Sequence, residues 1–118
     1  MSPTKPLSVD EFTLLEFFGE YPTQLDSQVC WAYNDSAYEA VQGLAKVSFA
    51  IAPAVKHVRI LLTIGEMLIY EFNACGVEDV RYHKIKGRES LEVVITPWNS
   101  IWLCLKAQIS MRQIVESA

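Results

Sequence analysis

The hydrophobic residues near the N-terminus follow a helical spacing. Ser8 followed three residues later by Glu11 has the spacing of a capping box, and Gly19 is a natural end for a helix. The pattern therefore predicts a helix over residues 9–18. Because its apolar side chains spread around more of the helix than one buried face requires, we expect some of them to face a partner. These side chains are Val9, Phe12, Leu14, Leu15, Phe17 and Phe18.

The next twenty-five residues carry a weaker pattern. Residues 20–30 have no clear period, which predicts a connecting loop. Asp35 or Ser36 is placed to cap a second helix that would run to about Leu44, because the residues between them are compatible with helical faces.

From residue 46 onward the hydrophobic period changes to two, which is typical of strands. The alternation starts at Val47, stops before Pro53, and resumes at Val58. In the last part of the chain it runs without a break over residues 101–112, which predicts one long final strand. Turns are predicted between the strands at Gly65-Glu66, Asn73 to Gly76, Lys86 to Arg88, and Pro97 to Asn99.

The turns between these strands are too short to contain crossover helices. Successive strands should therefore be antiparallel neighbours. The sequence predicts an α+β fold, an antiparallel β-meander of about five to six strands with one or two N-terminal helices packed on one face. At 118 residues, we expect residues 1–118 to form a single domain.

Composition and cysteine usage favour a folded cytoplasmic protein. The chain is 51% hydrophobic and 20% charged, which is ordinary for a globular domain. Residues 1–7 lack the apolar stretch of a signal peptide, and the chain has no apolar run of membrane-spanning length. Cys30, Cys75 and Cys104 form no CxxC pair, which indicates reduced thiols. We therefore expect neither secretion nor a membrane location.

Charge is distributed unevenly along the chain. Residues 1–45 carry seven acids and one base, whereas residues 46–118 carry seven acids and nine bases, for a net charge of −4. Nucleic acid binding requires basic residues that neutralise phosphates, so this balance argues against it. A basic protein is the partner that the acidic front half would attract.

The sequence offers little for catalysis. Cys75 lies in a turn shortly before the strand that contains His83, but no third residue is indicated to orient such a pair. A zinc site built from these two residues with His57 and Cys104 lacks the usual ligand spacing. The five glycines are scattered singly, so a phosphate-binding loop is not indicated. We predict a protein that is not an enzyme and has no cofactor or metal.

Aromatic and acidic residues are interleaved in the front half. Such a surface suits protein binding, with aromatic rings as desolvated anchors and carboxylates that attract a basic partner. The alternative is that these rings pack in the core, because a small domain must bury most of its large side chains. The predicted partner-binding residues are Asp26, Trp31, Tyr33, Asp35, Tyr38 and Glu39.

Roughly the last two-fifths of the chain resembles a known class of bacterial proteins. The stretch from Phe72 to Arg81, the strand Ser90–Ile95 and the alternating residues Ile101–Met111 are similar to small immunity proteins of polymorphic toxin systems, of the contact-dependent inhibition or Rhs type. This resemblance implies a cytoplasmic antitoxin that binds a cognate toxin domain and occludes its active site, here with the acidic front half. The alternative is a structural or oligomerisation module that forms a homodimer through a sheet edge or a helix.

Overall fold

The N-terminal helix is present and begins two residues later than predicted. The computed structural model describes residues 5–117, so residues 1–4 and 118 of the predicted domain lie outside the described part. The helix, α1, spans Glu11–Phe18. The Asp10 carboxylate accepts a hydrogen bond from the Thr13 N–H at 2.9 Å, and the Thr13 hydroxyl accepts one from the Asp10 N–H at 3.0 Å. The cap is therefore formed by Asp10 and Thr13, and not by Ser8 and Glu11. Gly19 ends the helix at φ 74°, as predicted, because glycine adopts this left-handed conformation without steric cost.

The strands form two antiparallel sheets where the sequence predicts one. The five-stranded sheet consists of β1 (Thr23–Gln24), β2 (Ser36–Gln42), β3 (Ala45–Ala52), β4 (His57–Ile64) and β5 (Met67–Ala74). The four-stranded sheet consists of β6 (Asp79–Ile85), β7 (Arg88–Thr96), β8 (Asn99–Cys104) and β9 (Ser110–Val115). Each sheet is a meander in chain order, as predicted. With nine strands and one α-helix in the described residues, the fold is mainly β, and the prediction of five to six strands is wrong.

Two predicted elements have a different structure. The predicted second helix is strand β2, which pairs with β3 along its whole length. The predicted long final strand is divided into β8 and β9, which pair with each other around a turn at residues 105–109. The Gln42 side chain holds this turn, since its amide donates to the Ala107 carbonyl at 2.6 Å and its oxygen accepts from the Ile109 N–H at 2.8 Å.

The inner faces of the two sheets and one side of α1 share a single hydrophobic core. Phe18 of the helix links the layers, because its ring stacks on Tyr38 of β2 at 5.0 Å and lies 5.7 Å from the ring of Phe49 on β3. Since each strand alternates inward and outward residues, this core also fixes which side chains lie on the outer faces. The other fully buried core residues include Leu14, Val47, Ile51, Val58, Ile60, Val80, Leu91, Val93 and Leu103.

The segment before α1 is attached to the four-stranded sheet through Asp79. The N–H and hydroxyl of Ser8 donate to the two carboxylate oxygens of Asp79 at 2.7 and 2.6 Å, and the Arg81 Nε donates to the same carboxylate at 3.1 Å. Burial acts to raise the pKa of Asp79, but the hydrogen bonds from Ser8, Arg81 and the Val80 N–H outweigh it and hold that pKa below its usual value. The carboxylate is therefore more stable in its ionised form in the folded protein.

Replacing Asp79 with asparagine should remove a pH-dependent part of the stability. Because the pKa is lowered by folding, the carboxylate stabilises the fold above its unfolded pKa of about 4, and this contribution is lost as the pH falls through the folded pKa. We expect Asp79→Asn to lower the free energy of unfolding by about 1–3 kcal/mol at pH 7, and by less at pH 3. Urea denaturation at both pH values measures this, with Glu78→Gln as the exposed control. An equal loss at both pH values would mean that the charge of Asp79 is unimportant.

Candidate protein-binding surface

Alternation along four strands creates an open outer face on the five-stranded sheet. In β2, Ser36, Tyr38 and Ala40 point into the core, so the residues between them point outward. The register carries this face across the sheet in rows, one of which joins Glu39, Ser48, Leu61 and Glu71. We call this surface the outer face. It consists of Ala37, Glu39, Val41, Lys46, Ser48, Ala50, Arg59, Leu61, Thr63, Leu68, Glu71 and Asn73.

One of the predicted partner-binding acids, Glu39, lies on the outer face, and a second, Asp35, borders it. Glu39 forms an ion pair with Lys46 of the neighbouring strand at 3.4 Å, and about half of each side chain is exposed. Asp35 directly precedes β2 and forms an ion pair with Arg59 on β4. The structure therefore brings both carboxylates to the same side of one sheet, although each already has a basic neighbour. Such half-exposed pairs remain open to competition from a partner's cations.

Three other predicted partner-binding residues lie on the loop that precedes β2, namely Asp26, Trp31 and Tyr33. Asn34 is buried and its amide donates to the Asp26 and Val29 carbonyls at 2.7 and 2.8 Å, which fixes the loop. Asp26 is exposed at the surface, where its carboxylate accepts from the Gln28 N–H at 2.9 Å. Tyr33 is 76% exposed and is therefore the most accessible of the three predicted aromatic residues.

Tyr38 is the predicted residue that does not reach the surface. It is 1% exposed, and its hydroxyl accepts a hydrogen bond from the indole Nε1 of half-buried Trp31 at 3.0 Å. Burial raises the pKa of the Tyr38 hydroxyl, with a smaller opposing effect from this hydrogen bond. Its ring has no free surface to offer a partner, so its contribution is to position Trp31 and to pack against Phe18.

The segment that forms most of the four-stranded sheet carries more bases than acids. Residues 79–112 carry six bases and three acids. His83 is the histidine that was considered for a pair with Cys75. Its ring stacks on that of Trp102 at 4.8 Å, and its Nε2 lies 2.9 Å from a carboxylate oxygen of Glu92. Beside Trp102 lies an open groove of about 830 Å³. Its basic lining residues are Arg88, Lys106 and Arg112.

Residues 5–117 contain no cluster of three or more His, Cys, Asp or Glu side chains arranged to hold a metal ion. Within the same range, no helix has the length and apolar character needed to cross a membrane. The three cysteines are free thiols, two of them exposed.

A solved structure shares this arrangement of sheets. No protein-family model and no curated protein sequence matches the chain. The fold is similar to that of a chain in the contact-dependent growth inhibition toxin–immunity protein complex from Klebsiella pneumoniae 342, with a TM-score of 0.75 and 17% sequence identity over 89% of this chain and 92% of that chain. At this identity the likeness is one of fold. At the level of the fold, the resemblance to the immunity systems of contact-dependent toxins that the sequence indicates is confirmed.

Proposed function

We propose that the chain is a cytoplasmic immunity protein, which binds a cognate toxin domain and neutralises it by covering the toxin's active site. The observation that carries the proposal is the fold likeness to a chain of a contact-dependent growth inhibition toxin–immunity protein complex, which extends over about nine-tenths of both chains. In this proposal the protein acts by binding and performs no catalysis.

The distribution of charge supports a basic toxin as the partner. Glu39 lies on the outer face, and Asp35 borders it through its ion pair with Arg59. The loop that carries Asp26 and exposed Tyr33 adjoins Asp35, because Leu25 donates a backbone hydrogen bond to the Asp35 carbonyl at 2.9 Å. A basic toxin surface would be attracted to these carboxylates, and Tyr33 offers an aromatic anchor whose burial adds binding energy. We therefore propose that the partner contacts Asp26, Trp31, Tyr33, Asp35 and Glu39, with Tyr38 supporting Trp31 from the core.

Growth rescue tests the proposal directly. The toxin domain encoded by the neighbouring reading frame is expressed from an inducible promoter in a laboratory bacterium, with and without this chain. We expect growth arrest without the chain and full growth with it, and we expect the two purified proteins to elute as one complex. A copy with an early stop codon is the control for translation of the product.

The same experiment distinguishes the two members of a toxin–immunity pair. If the chain itself arrested growth when it was expressed alone, it would be the toxin, and the proposal would be wrong. Failure to rescue growth and to form a complex would also contradict it.

A further inference from the structure

A groove lies between α1 and β1, the edge strand of the five-stranded sheet. One wall comes from the helix, where residues three and four apart are neighbours on the surface, and the other comes from the segment that leads into β1. We call this space the helix–strand groove. The residues that line it are Glu11, Phe12, Leu15, Tyr21, Pro22 and Gln24.

Two aromatic rings of the groove are open to solvent. Phe12 is 72% exposed and Tyr21 is 84% exposed, although burial of such rings is a main source of stability in a small domain. Within residues 5–117, the Glu11 carboxylate belongs to none of the ion pairs. Both rings and the carboxylate are therefore available to another molecule.

The groove lies in the acidic part of the chain. Residues 6–45 contain seven acids and no lysine or arginine. Glu20 directly precedes Tyr21, Asp26 follows β1 by two residues, and both acids are exposed. The phosphates of a nucleic acid or of an anionic membrane would be repelled here. The ligand of matching charge is a cation.

The volume of the groove suits a single side chain. It is about 240 Å³, whereas pockets for small-molecule ligands are commonly about 300–1,000 Å³. Aromatic faces attract cations, and arginine does this most often because its planar guanidinium also stacks on rings. The same group donates hydrogen bonds to a carboxylate such as Glu11. An arginine side chain therefore matches the rings, the charge and the size of the groove.

A second copy of the chain is a poor occupant of the groove. In a two-fold dimer both copies present the same surface. The acids around one groove would then face those around the other, where like charges repel, and residues 6–45 supply no base to compensate. A basic partner avoids this repulsion.

We infer that the helix–strand groove receives an arginine side chain of the basic toxin domain. The Phe12 and Tyr21 rings contact the guanidinium, and Glu11 accepts its hydrogen bonds. This inference rests on the proposed immunity function and goes beyond it by naming a pocket and the side chain that fills it. The groove adjoins the contact proposed above, because Gln24 lines it and the next residue, Leu25, is bonded to the Asp35 carbonyl. The toxin therefore contacts the five-stranded sheet around its β1 edge.

Two double variants test the contribution of the rings. Phe12→Ala combined with Tyr21→Ala should raise the Kd for the toxin domain of the neighbouring reading frame at least about 30-fold, because aromatic anchors carry much of the binding energy. Leucine at both positions keeps apolar surface but removes the aromatic faces, and should raise the Kd about 10-fold. Ile85→Ala combined with Trp98→Ala is the matched control, since these residues are 66% and 48% exposed on the other sheet. Biolayer interferometry gives the Kd, and thermal melting checks that all variants fold.

The charge of the occupant is tested separately. Glu11→Gln should raise the Kd about 5-fold or more, whereas Glu66→Gln, in the β4–β5 turn, changes the net charge equally and should have little effect. Alanine replacements of the toxin's arginines then identify the partner side chain. The effect of that replacement should disappear in the Phe12→Ala and Tyr21→Ala variant, because residues in contact are not additive.

Each outcome decides a separate point. Binding that is unchanged in the Phe12→Ala and Tyr21→Ala variant, or weakened equally in the Ile85 and Trp98 control, would overturn the inference while the proposed function stood. Toxin arginines that all act independently of the two rings would overturn the assignment to arginine. A dimer in light scattering that became a monomer in the alanine variant would show that a second copy occupies the groove, and would also overturn it. If the unchanged chain did not bind the toxin domain at all, the proposed function itself would fail.

Discussion

Alanine in place of Phe49 is expected to lower the free energy of unfolding by about 3–5 kcal/mol. Phe49 is fully buried on the central strand β3, where its ring lies 5.7 Å from that of Phe18. Removing the ring leaves a cavity between the helix and the sheet, and strands fixed by backbone pairing on both sides can collapse into it only partly. Urea denaturation monitored by circular dichroism measures the loss.

Phe12 provides the matched control for this substitution. It belongs to α1 but is 72% exposed, so Phe12→Ala removes the same ring without opening a cavity. We expect its effect on the free energy of unfolding to stay below about 1 kcal/mol. If Phe49→Ala lowered the free energy of unfolding as little as Phe12→Ala, the core would not depend on the contact between α1 and the five-stranded sheet.

The hairpins could be predicted from the sequence because they are local. Turn residues such as Gly65 and Gly87 separate alternating segments, and the structure pairs the flanking strands as predicted. The division into two sheets is not local. It occurs at residues 75–78, where the Val77 N–H donates to the Lys56 carbonyl and the Glu78 N–H donates to the Val94 carbonyl. The chain passes there from one sheet to the other, and neither the turn residues nor the alternation differs from those of an ordinary hairpin.

The segment after Asp35 shows how tertiary pairing overrides a weak local preference. Alanines and mixed polar residues in β2 are compatible with a helix, but seven residues of β2 pair with β3, and this pairing stabilises the strand. The prediction of one long final strand was wrong for the opposite reason, because there the local pattern is strong and the structure interrupts it. Leu105, Ala107 and Ile109 continue the alternation through a turn that contains neither glycine nor proline, so the period gives no sign of the interruption.

The direction of side chains along β2 explains which predicted site residues the structure brings together. Residues four apart lie on one face of a helix and also on one face of a strand, so Asp35 and Glu39 share a surface in either structure. Tyr38 does not share this surface. Side chains alternate along β2, so Tyr38 points into the core where its neighbour Glu39 points outward. The spacing of apolar residues in the helix also cannot show which of them stays uncovered. For that reason exposed Phe12 was not among the predicted site residues.

Reversing charge on the outer face should slow association with the toxin domain. Glu39 and Glu71 lie in one row of the sheet with Leu61 between them, and both are exposed. Replacing both with lysine is expected to lower the association rate constant about 10-fold at low salt, with a smaller change in the dissociation rate, because charge acts mainly on the encounter. Asp35 is left unchanged, since a lysine there would face Arg59 and disturb the fold.

The salt dependence supplies the second measurement and the control. For the unchanged chain, the association rate should fall as salt is raised, because charges more than about 10 Å apart are largely screened at 0.1 M. In the Glu39→Lys and Glu71→Lys variant this dependence should be weaker or reversed. Glu78→Lys combined with Glu116→Lys changes the net charge by the same amount on the four-stranded sheet, where both residues line a pocket next to Trp98. If that control slowed association equally, total charge alone would govern the encounter. If neither pair of substitutions nor salt had an effect, the toxin would not approach through the outer face.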